Sequence, residues 1–468
     1  MSLAEISEKL KKREISSCQL TAECLAEIAE NDQDGRRLNT VSEINANALF
    51  EARRADQEIQ NNQIRSILHG IPVLVKDNID VKGMHTTAGS YALNDLIAER
   101  DAFLVRRLKE AGAVILGKAN LSEFAYFMSR QGMPSGYSSQ SGQVVHAYAP
   151  GFDPSGSSSG SAVAVSARFV PFAVGTETDG SLMSPSIANA IVSIKPTVGL
   201  VSRDGILPIS HVQDTAGPMA SCVTDAAAIL SAIAGRDEND PAAWNCRTGD
   251  YTGALKTDCG GMRIGLFDNG TEERDRKALK KAKKILEQAG AEVIELTMEE
   301  TLVSETDALI HEFKQGVNLY LASHNSSCRN LTDIIRFNRA HAQRCLKHGQ
   351  DLLIRCNAES GTLKESAYLR KRLELEKESH RLLDGTLERY GLDCLMTAGC
   401  RVRTNLAPVS GNPCMTIPAA EPDETDYHPL SYYLMSGAYR EDILIHVSYA
   451  LEQALQLFCR PSWAKNLF

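Results

Sequence analysis

The sequence has no surplus of positive charge. Lysine and arginine together number 50 against 59 aspartate and glutamate residues, which gives a formal net charge of −9. A protein that binds a nucleic acid backbone needs basic side chains to neutralise the phosphates. The composition therefore argues against nucleic acid as a direct partner.

Long apolar runs are also missing. No stretch approaches the roughly 20 apolar residues that a helix needs to cross a bilayer, and the charged start MSLAEISEKLKKREISS lacks the apolar core of a signal peptide. We therefore expect a soluble, cytoplasmic protein with no membrane partner. The 12 cysteines include no C-x-x-C pair, which favours reduced thiols over a disulfide framework or a zinc site.

Low-complexity tracts and internal repeats are absent too. With 43% hydrophobic and 23% charged residues, the 468-residue chain has a globular composition, which excludes disordered and fibrous classes. At roughly 100–200 residues per domain, the length alone would allow two to four domains. No Pro/Gly/Ser-rich linker separates the parts of the chain, so we predict one domain over residues 1–468.

Hydrophobic patterning divides this domain into three parts. Residues 1–60 have helical spacing and predict an N-terminal helical arm, whereas residues 61–235 alternate strand and helix patterns. Residues 236–468 continue the alternation around a charged helical insertion at about 301–390. Alternating strands and helices predict an α/β fold built on a layered sheet.

Two segments in the α/β part are dense in glycine and serine: SGSSSGSAVAVSA at 155–167 and GTETDGSLMSPSIANA at 175–190. A single run of this kind is as often a flexible surface loop. Each of these runs, however, leads directly into a helix of small residues. Because a glycine-rich turn at a helix N-terminus presents backbone N–H groups to negative charge, the pair indicates a site for an anion or an anionic transition state.

Two familiar motifs match the α/β part of the chain only superficially. Residues 156–160 satisfy the G-x-S-x-G nucleophile elbow with Ser158 at the centre, but the proline-containing segment before them predicts a loop where the elbow requires a strand. The run from Gly112 to Lys118 has Walker-like spacing, yet Ala119 replaces the hydroxyl residue and no inner glycine can wrap a phosphate. We assign neither a hydrolase elbow nor a nucleotide site.

Lys76 ends the apolar run IPVLVKDN, a costly place for an ammonium group, although a lysine there could also extend to solvent. A series of motifs over about residues 60–235 resembles the amidase signature family of serine hydrolases. The motifs are GIPVLVKDNID, TTAGS, AGAVILGKANLSEFA, GSSSGSAVAV, GTETDGS and SIKPTVGLVSRDGILPIS to DTAGP. The resemblance implies one large domain with a mixed β-sheet core covered by helices. It also implies hydrolysis of small-molecule or peptide amides without a metal or organic cofactor.

The resemblance assigns catalytic roles to three side chains. Lys76, Ser157 and Ser181 match the family's lysine, cis-peptide serine and nucleophilic serine, and the 24-residue step from Ser157 to Ser181 selects Ser157 over Ser158. Serine is a weak nucleophile, and a lysine can act as its base only when neutral. Lowering the pKa of a lysine from about 10.4 to near 7 corresponds to roughly 4.6 kcal/mol, which burial can supply.

The resemblance further implies an oxyanion hole made of the backbone N–H groups of Thr178, Asp179, Gly180 and Ser181. Ala125 matches a position that lines the substrate. An acyl-enzyme on Ser181 would form and then be hydrolysed by water.

Two departures from the family pattern bear on the substrate. Asp179 stands where glycine is usual, and Leu182-Met183-Ser184 stands where relatives that take carboxylate substrates have an arginine. Arg203 or Arg401 could replace that missing clamp. The pattern is most similar to bacterial peptide amidases. The alternatives are the glutaminase (A) subunit of glutamyl-tRNA(Gln) amidotransferase and, less favoured, a catalytically silent scaffold; the sequence leaves the oligomeric state open, a homodimer included.

Overall fold

A computed structural model describes residues 1–268, 272–298, 304–399, 405–425, 427–457 and 459–465. Its strands, in chain order, are β1 (Val41–Ile44), β2 (Pro72–Lys76), β3 (Val114–Ala119), β4 (Tyr137–Ser138), β5 (Gly142–Gln143), β6 (Phe172–Glu177), β7 (Val192–Lys195), β8 (Thr215–Ala220), β9 (Arg263–Phe267), β10 (Glu292–Leu296), β11 (Cys394–Gly399), β12 (Cys414–Pro418) and β13 (Ser431–Met435).

Eleven of these strands form one sheet in the order β1-β3-β2-β6-β8-β7-β12-β13-β11-β9-β10, while β4 and β5 pair separately. Strand β2 is parallel to β3 and β6, and β9 is parallel to β10 and β11. The remaining pairs are antiparallel. This mixed sheet confirms the predicted α/β class with a mixed β-sheet core.

Helices surround the sheet. In chain order they are α1 (Leu3–Lys11), α2 (Ser17–Ile28), α3 (Ala48–Gln60), α4 (Phe103–Glu110), α5 (Ser159–Ser166), α6 (Met183–Ala188), α7 (Val223–Ile233), α8 (Glu273–Gln288), α9 (Thr306–Ala322), α10 (Leu331–Ala340), α11 (Ala342–Cys345), α12 (Asp351–Ala358), α13 (Ser366–Leu382), α14 (Asp384–Tyr390), α15 (Leu406–Ser410) and α16 (Glu441–Leu455). Among the described residues, no helix has both the length and the apolarity that crossing a bilayer would need.

The spacing of apolar residues predicted a helical N-terminal arm. In the structure this arm is not purely helical. Besides α1 to α3 it contains β1, which pairs antiparallel with β3 and forms one edge of the sheet. Four residues are too few to produce a clear alternation. Strand β8 was also missed, because its sequence TAGPMA carries the glycine and proline that usually mark a turn.

The predicted helical insertion corresponds to α9 to α14, which we call the helical cover. Its helices α9, α10 and α12 share a separate apolar core with the loops before α5. There the ring of Phe313 on α9 packs against Phe124 and Phe127, with ring centroids 5.9 and 5.1 Å apart. The cover is thereby fixed to the part of the chain that carries the Gly/Ser segments.

Helix α5 explains one of those segments by packing alone. Each of its eight residues, SGSAVAVS, is buried, so the helix has no face that could carry a large side chain. A Cβ atom on Gly160 would lie 2.4 Å from both the Asn120 and the Thr40 carbonyl oxygens. The small residues are therefore required by close backbone contact.

We predict that Gly160→Ala lowers stability by about 1–3 kcal/mol, because overpacking a dense core forces the backbone apart. The apparent Tm in a thermal scan should fall by a few degrees. Gly253→Ala is the matched control, since nothing lies within 4 Å of its added Cβ. Equal Tm values for the two variants would contradict the packing argument.

Candidate active site

The ends of two neighbouring strands place the site. Strands β2 and β6 are parallel, with Val75 opposite Val174, so their carboxyl ends meet at the same edge of the sheet. Lys76 is the last residue of β2, and Thr176 and Glu177 are the last residues of β6. Ligand sites of open α/β sheets lie at this edge.

The Lys76 amine is fully buried among oxygen atoms. Its Nζ lies 2.7 Å from Ser157 Oγ, 2.9 Å from Thr176 Oγ1 and 3.2 Å from the Thr176 carbonyl oxygen. Burial lowers the pKa of Lys76 to about 7, although the negative charges of Asp214 and Glu177 act in the opposite direction. The amine can therefore exist neutral near neutral pH, with its lone pair available to Ser157.

The two Gly/Ser segments meet at this lysine. The Gly156–Ser157 peptide bond is cis, and the Ser158 N–H donates to the Ser181 carbonyl at 3.2 Å. Ser158 Oγ donates to the Thr176 carbonyl at 3.0 Å, the same oxygen that Lys76 Nζ contacts. The structure thus brings Lys76 and Ser157 into contact, sets the backbone of Ser181 beside them, and gives Ser158 a backbone contact instead.

Residues 178–181, which we call the nucleophile loop after the role predicted for Ser181, lie between β6 and α6. Gly180 adopts a φ of 72°, a left-handed conformation that favours glycine. Glu177 Oε2 accepts hydrogen bonds from the backbone N–H groups of Leu182 and Met183 at 2.6 and 3.0 Å. This carboxylate fixes the start of α6 directly after Ser181.

Asp214 holds the other side of the nucleophile loop. Its Oδ1 accepts from the Thr178 hydroxyl at 2.5 Å, and its Oδ2 accepts from the Ile209 and Ser210 N–H groups at 2.8 and 2.9 Å. Burial raises the pKa of Asp214 to about 6. The carboxylate therefore ties the nucleophile loop to the segment 209–214.

A cavity of about 290 Å³ opens beside these groups. Ala125, Asn78, Thr176 and Thr178 contribute to its wall, together with the apolar segment 206–209. Ala125, the sequence-predicted lining residue, thus lies in the same cavity as the nucleophile loop. The size is near the lower end for pockets that hold small ligands.

Two arginines of the described part of the cavity wall, Arg100 and Arg203, are already paired. Arg100 donates to both carboxylate oxygens of Asp204 at 2.6 and 2.7 Å. Arg203, one of the two predicted replacement clamps, donates to both oxygens of Asp240 at 2.8 and 2.6 Å, so its charge is already balanced within the chain. Arg401 lies outside the described residues.

Sequence reasoning missed several residues of the site. Thr176 and Glu177 belong to the GTETDGS motif and Asp214 to DTAGP, so the motifs contained them without indicating their contacts. Gln213 and Glu305 carried no signal. Gln213, next to Asp214, contacts Thr178 across 35 positions of sequence, and Glu305 contacts Gln213 across 92 positions because the helical cover folds back over this region.

A family model described as Amidase matches residues 19–424. With the mixed sheet and the buried lysine at its edge, this match defines an enzyme that hydrolyses amides. The chain belongs to the amidase family, which confirms the resemblance drawn from its motifs.

Individual relatives agree with this membership. The native peptide amidase of Stenotrophomonas maltophilia is 40% identical, with a TM-score of 0.93 over 99% of both chains. A probable amidase of Arabidopsis thaliana is 39% identical over 439 residues, 89% of this chain and 83% of the relative. The (A) subunit of the glutamyl-tRNA(Gln) amidotransferase of Caldanaerobacter subterraneus is 39% identical over 302 residues, but this match covers 64% of this chain and 60% of the relative.

Proposed function

We propose that this amidase hydrolyses uncharged carboxylic amides, including C-terminal amides of peptides, to the acid and ammonia through an acyl-enzyme on Ser181. The observation that carries the proposal is the 2.7 Å contact between the buried Lys76 amine and Ser157. A neutral lysine held against a serine hydroxyl is a base for serine chemistry. The likeness to a peptide amidase over the whole chain supports the choice of substrate.

The first half-reaction forms the ester. Ser181 Oγ attacks the amide carbon while its proton passes to Ser157, whose own proton passes to the Lys76 amine. The carbonyl π electrons move to the oxygen, which the N–H groups of the nucleophile loop stabilise. When the C–N bond breaks, the proton on Lys76 returns through Ser157 to the leaving nitrogen, and ammonia departs.

The second half-reaction repeats these steps with water. Water gives a proton to the same relay and attacks the ester carbon, and Ser181 Oγ takes the proton back as the C–O bond breaks. Thr176 assists in both halves because its two oxygens accept the N–H groups of the neutral amine. The remaining lone pair on Nζ is then directed to Ser157.

The charges around the cavity support an uncharged substrate. Among the described residues, each arginine of the wall has its positive charge balanced by a carboxylate of the chain itself, which weakens its attraction for a substrate carboxylate. A glutaminase of the amidotransferase kind must hold the carboxylate of free glutamine. The partial match to such a protein therefore leaves that function in second place.

Replacing members of the triad tests the mechanism. Ser181→Ala should abolish acyl-enzyme formation. Ser157→Ala and Lys76→Met should each lower kcat by at least about 1,000-fold, and the double variant should lose less than the product of the two single losses, because the residues act as one unit. Ammonia release from N-acetylleucinamide is the measurement. Ser161→Ala is the control: its hydroxyl is buried on α5 and has no hydrogen-bond partner among the described residues, so its loss should leave kcat unchanged. Full activity of any triad variant would refute the assignment.

The pH dependence follows from the pKa of Lys76, which burial lowers to about 7. The base is neutral above this pKa, so kcat/KM should rise about tenfold per pH unit below 7 and level off at mildly alkaline pH. Initial rates between pH 5 and 9 measure the profile. A maximum near pH 5 would be incompatible with a lysine base.

The paired arginines predict a preference between substrates. Glutamine would bring an unpaired carboxylate into the cavity, so its kcat/KM should be at least about 100-fold below that of N-acetylleucinamide. Both substrates are compared on the same preparation by ammonia release. Equal values, or a preference for glutamine, would place the amidotransferase function first.

A further inference from the structure

Gln213 is a fully buried glutamine whose side-chain amide is satisfied on each side. Its Nε2 donates to the Thr178 carbonyl at 3.3 Å and to Glu305 Oε2 at 3.2 Å, and its Oε1 accepts from Arg372 Nη1 at 2.6 Å. Exchanging the amide oxygen and nitrogen would set a donor against Arg372 and an acceptor against Glu305. The partners therefore fix the orientation of the amide.

The carbonyl that accepts the hydrogen bond from Gln213 belongs to the peptide group that also carries the Asp179 N–H. The Thr178 C=O and the Asp179 N–H form one planar trans peptide, and its two polar bonds point in opposite directions. Fixing the oxygen at one end therefore aims the N–H at the other. If this peptide rotated, the carbonyl would present its negative end where the N–H had pointed.

Other hydrogen bonds hold neighbouring parts of the nucleophile loop. Asp214 binds the Thr178 side chain, and the Ser158 N–H binds the carbonyl of Ser181. Glu177 acts after the loop, on α6. The hydrogen bond from Gln213 acts on the Thr178 carbonyl itself, so it bears directly on the direction of the Asp179 N–H.

The helical cover holds Gln213 in turn. Glu305 stands at the N-terminal cap of α9, and Arg372 lies on α13. Arg372 is also 3.9 Å from Glu312 on α9. Residues of α13 and of the N-terminal cap of α9 therefore both contact Gln213, which in turn contacts the nucleophile loop.

We propose that Gln213 is a positioning residue of the reaction. By holding the Thr178 carbonyl it directs the Asp179 N–H into the oxyanion hole, and Glu305 and Arg372 keep Gln213 in place. This inference rests on the proposed Ser181 mechanism. It makes the helical cover a part of the catalytic apparatus, although the cover acts there through Gln213 and not on the substrate.

Two substitutions at Gln213 test the proposal. Gln213→Leu removes both donated hydrogen bonds at similar volume, and Gln213→Glu keeps the shape and the Arg372 contact but sets a carboxylate oxygen against the Thr178 carbonyl. Gln350→Leu is the matched control. Gln350 is a buried glutamine of the cover that likewise accepts one hydrogen bond, from Asn338, and donates one to a backbone carbonyl, that of Ile335.

The readouts separate positioning from stability and binding. For each variant we would measure kcat and KM for N-acetylleucinamide, the apparent Tm, and the inhibition constants of N-acetylleucinal and N-acetylleucinol. Ser181 Oγ adds to the aldehyde carbon as its proton passes through Ser157 to Lys76, and the carbonyl π pair moves to an oxygen that occupies the hole. The alcohol has no carbonyl to add to, so it reports ground-state binding alone.

We expect kcat to fall about 100-fold in both Gln213 variants, with the inhibition constant of the aldehyde rising in proportion. KM and the inhibition constant of the alcohol should change by less than about 3-fold. Gln350→Leu should lower Tm comparably but keep kcat within about 3-fold of the wild type. Arg372→Met, which leaves Gln213 intact, should show a smaller loss of kcat of about 10-fold.

Unchanged kcat and aldehyde inhibition in folded Gln213 variants would overturn the proposal. A rise in KM and in the alcohol constant at constant kcat would also overturn it, because Gln213 would then shape ground-state binding. If Gln213→Leu does not fold, Gln213→Glu and Arg372→Met decide. A wild-type enzyme that releases no ammonia from amides would instead refute the proposed function, which is a separate outcome.

Discussion

The burial of one amine organises this molecule. Lys76 carries its Nζ out of water at the end of β2, where it needs oxygen partners. The partners come from the end of β6 and from Ser157 just before α5. For both to reach the amine, α5 must lie against the strands with no room for side chains. The small residues of the Gly/Ser segments therefore serve the packing around the lysine as well as the chemistry proposed for it.

Asp179 of the nucleophile loop has an acidic neighbour, Glu305, at the start of the helical cover. An acidic residue where glycine is usual brings a negative charge to the nucleophile loop. The structure places the buried Glu305 carboxyl beside it, and burial together with the charge of Asp179 raises the pKa of Glu305 well above its ordinary value. Both effects favour the protonated form of the Glu305 carboxyl. The unusual residue in the loop and the acid at the start of α9 form one unit.

The sequence predicts this fold where local pattern and packing agree. Apolar runs such as the one ending at Lys76 identify the central strands, and the motif order identifies the family. The pattern does not predict the edge strand β1, because that strand is short. It does not predict β8 either, because Pro218 lies inside this strand although the strand is central in the sheet. The catalytic roles of Lys76, Ser157 and Ser181 stay predictions. The contacts of Gln213 with Glu305 and Arg372 could not have been predicted, since these partners stand 92 and 159 positions later in the sequence.

The sheet order has a consequence for partial chains. Strand β7, directly after α6, pairs with β12, and the whole helical cover lies between them in sequence. Until β12 is available, the half of the sheet that carries the site ends in a strand with unpaired N–H and C=O groups and buried apolar neighbours. Such an edge recruits strands from other chains. Truncated chains that stop after the helical cover would therefore aggregate rather than yield a minimal enzyme, so the strands that follow the cover protect those that precede it.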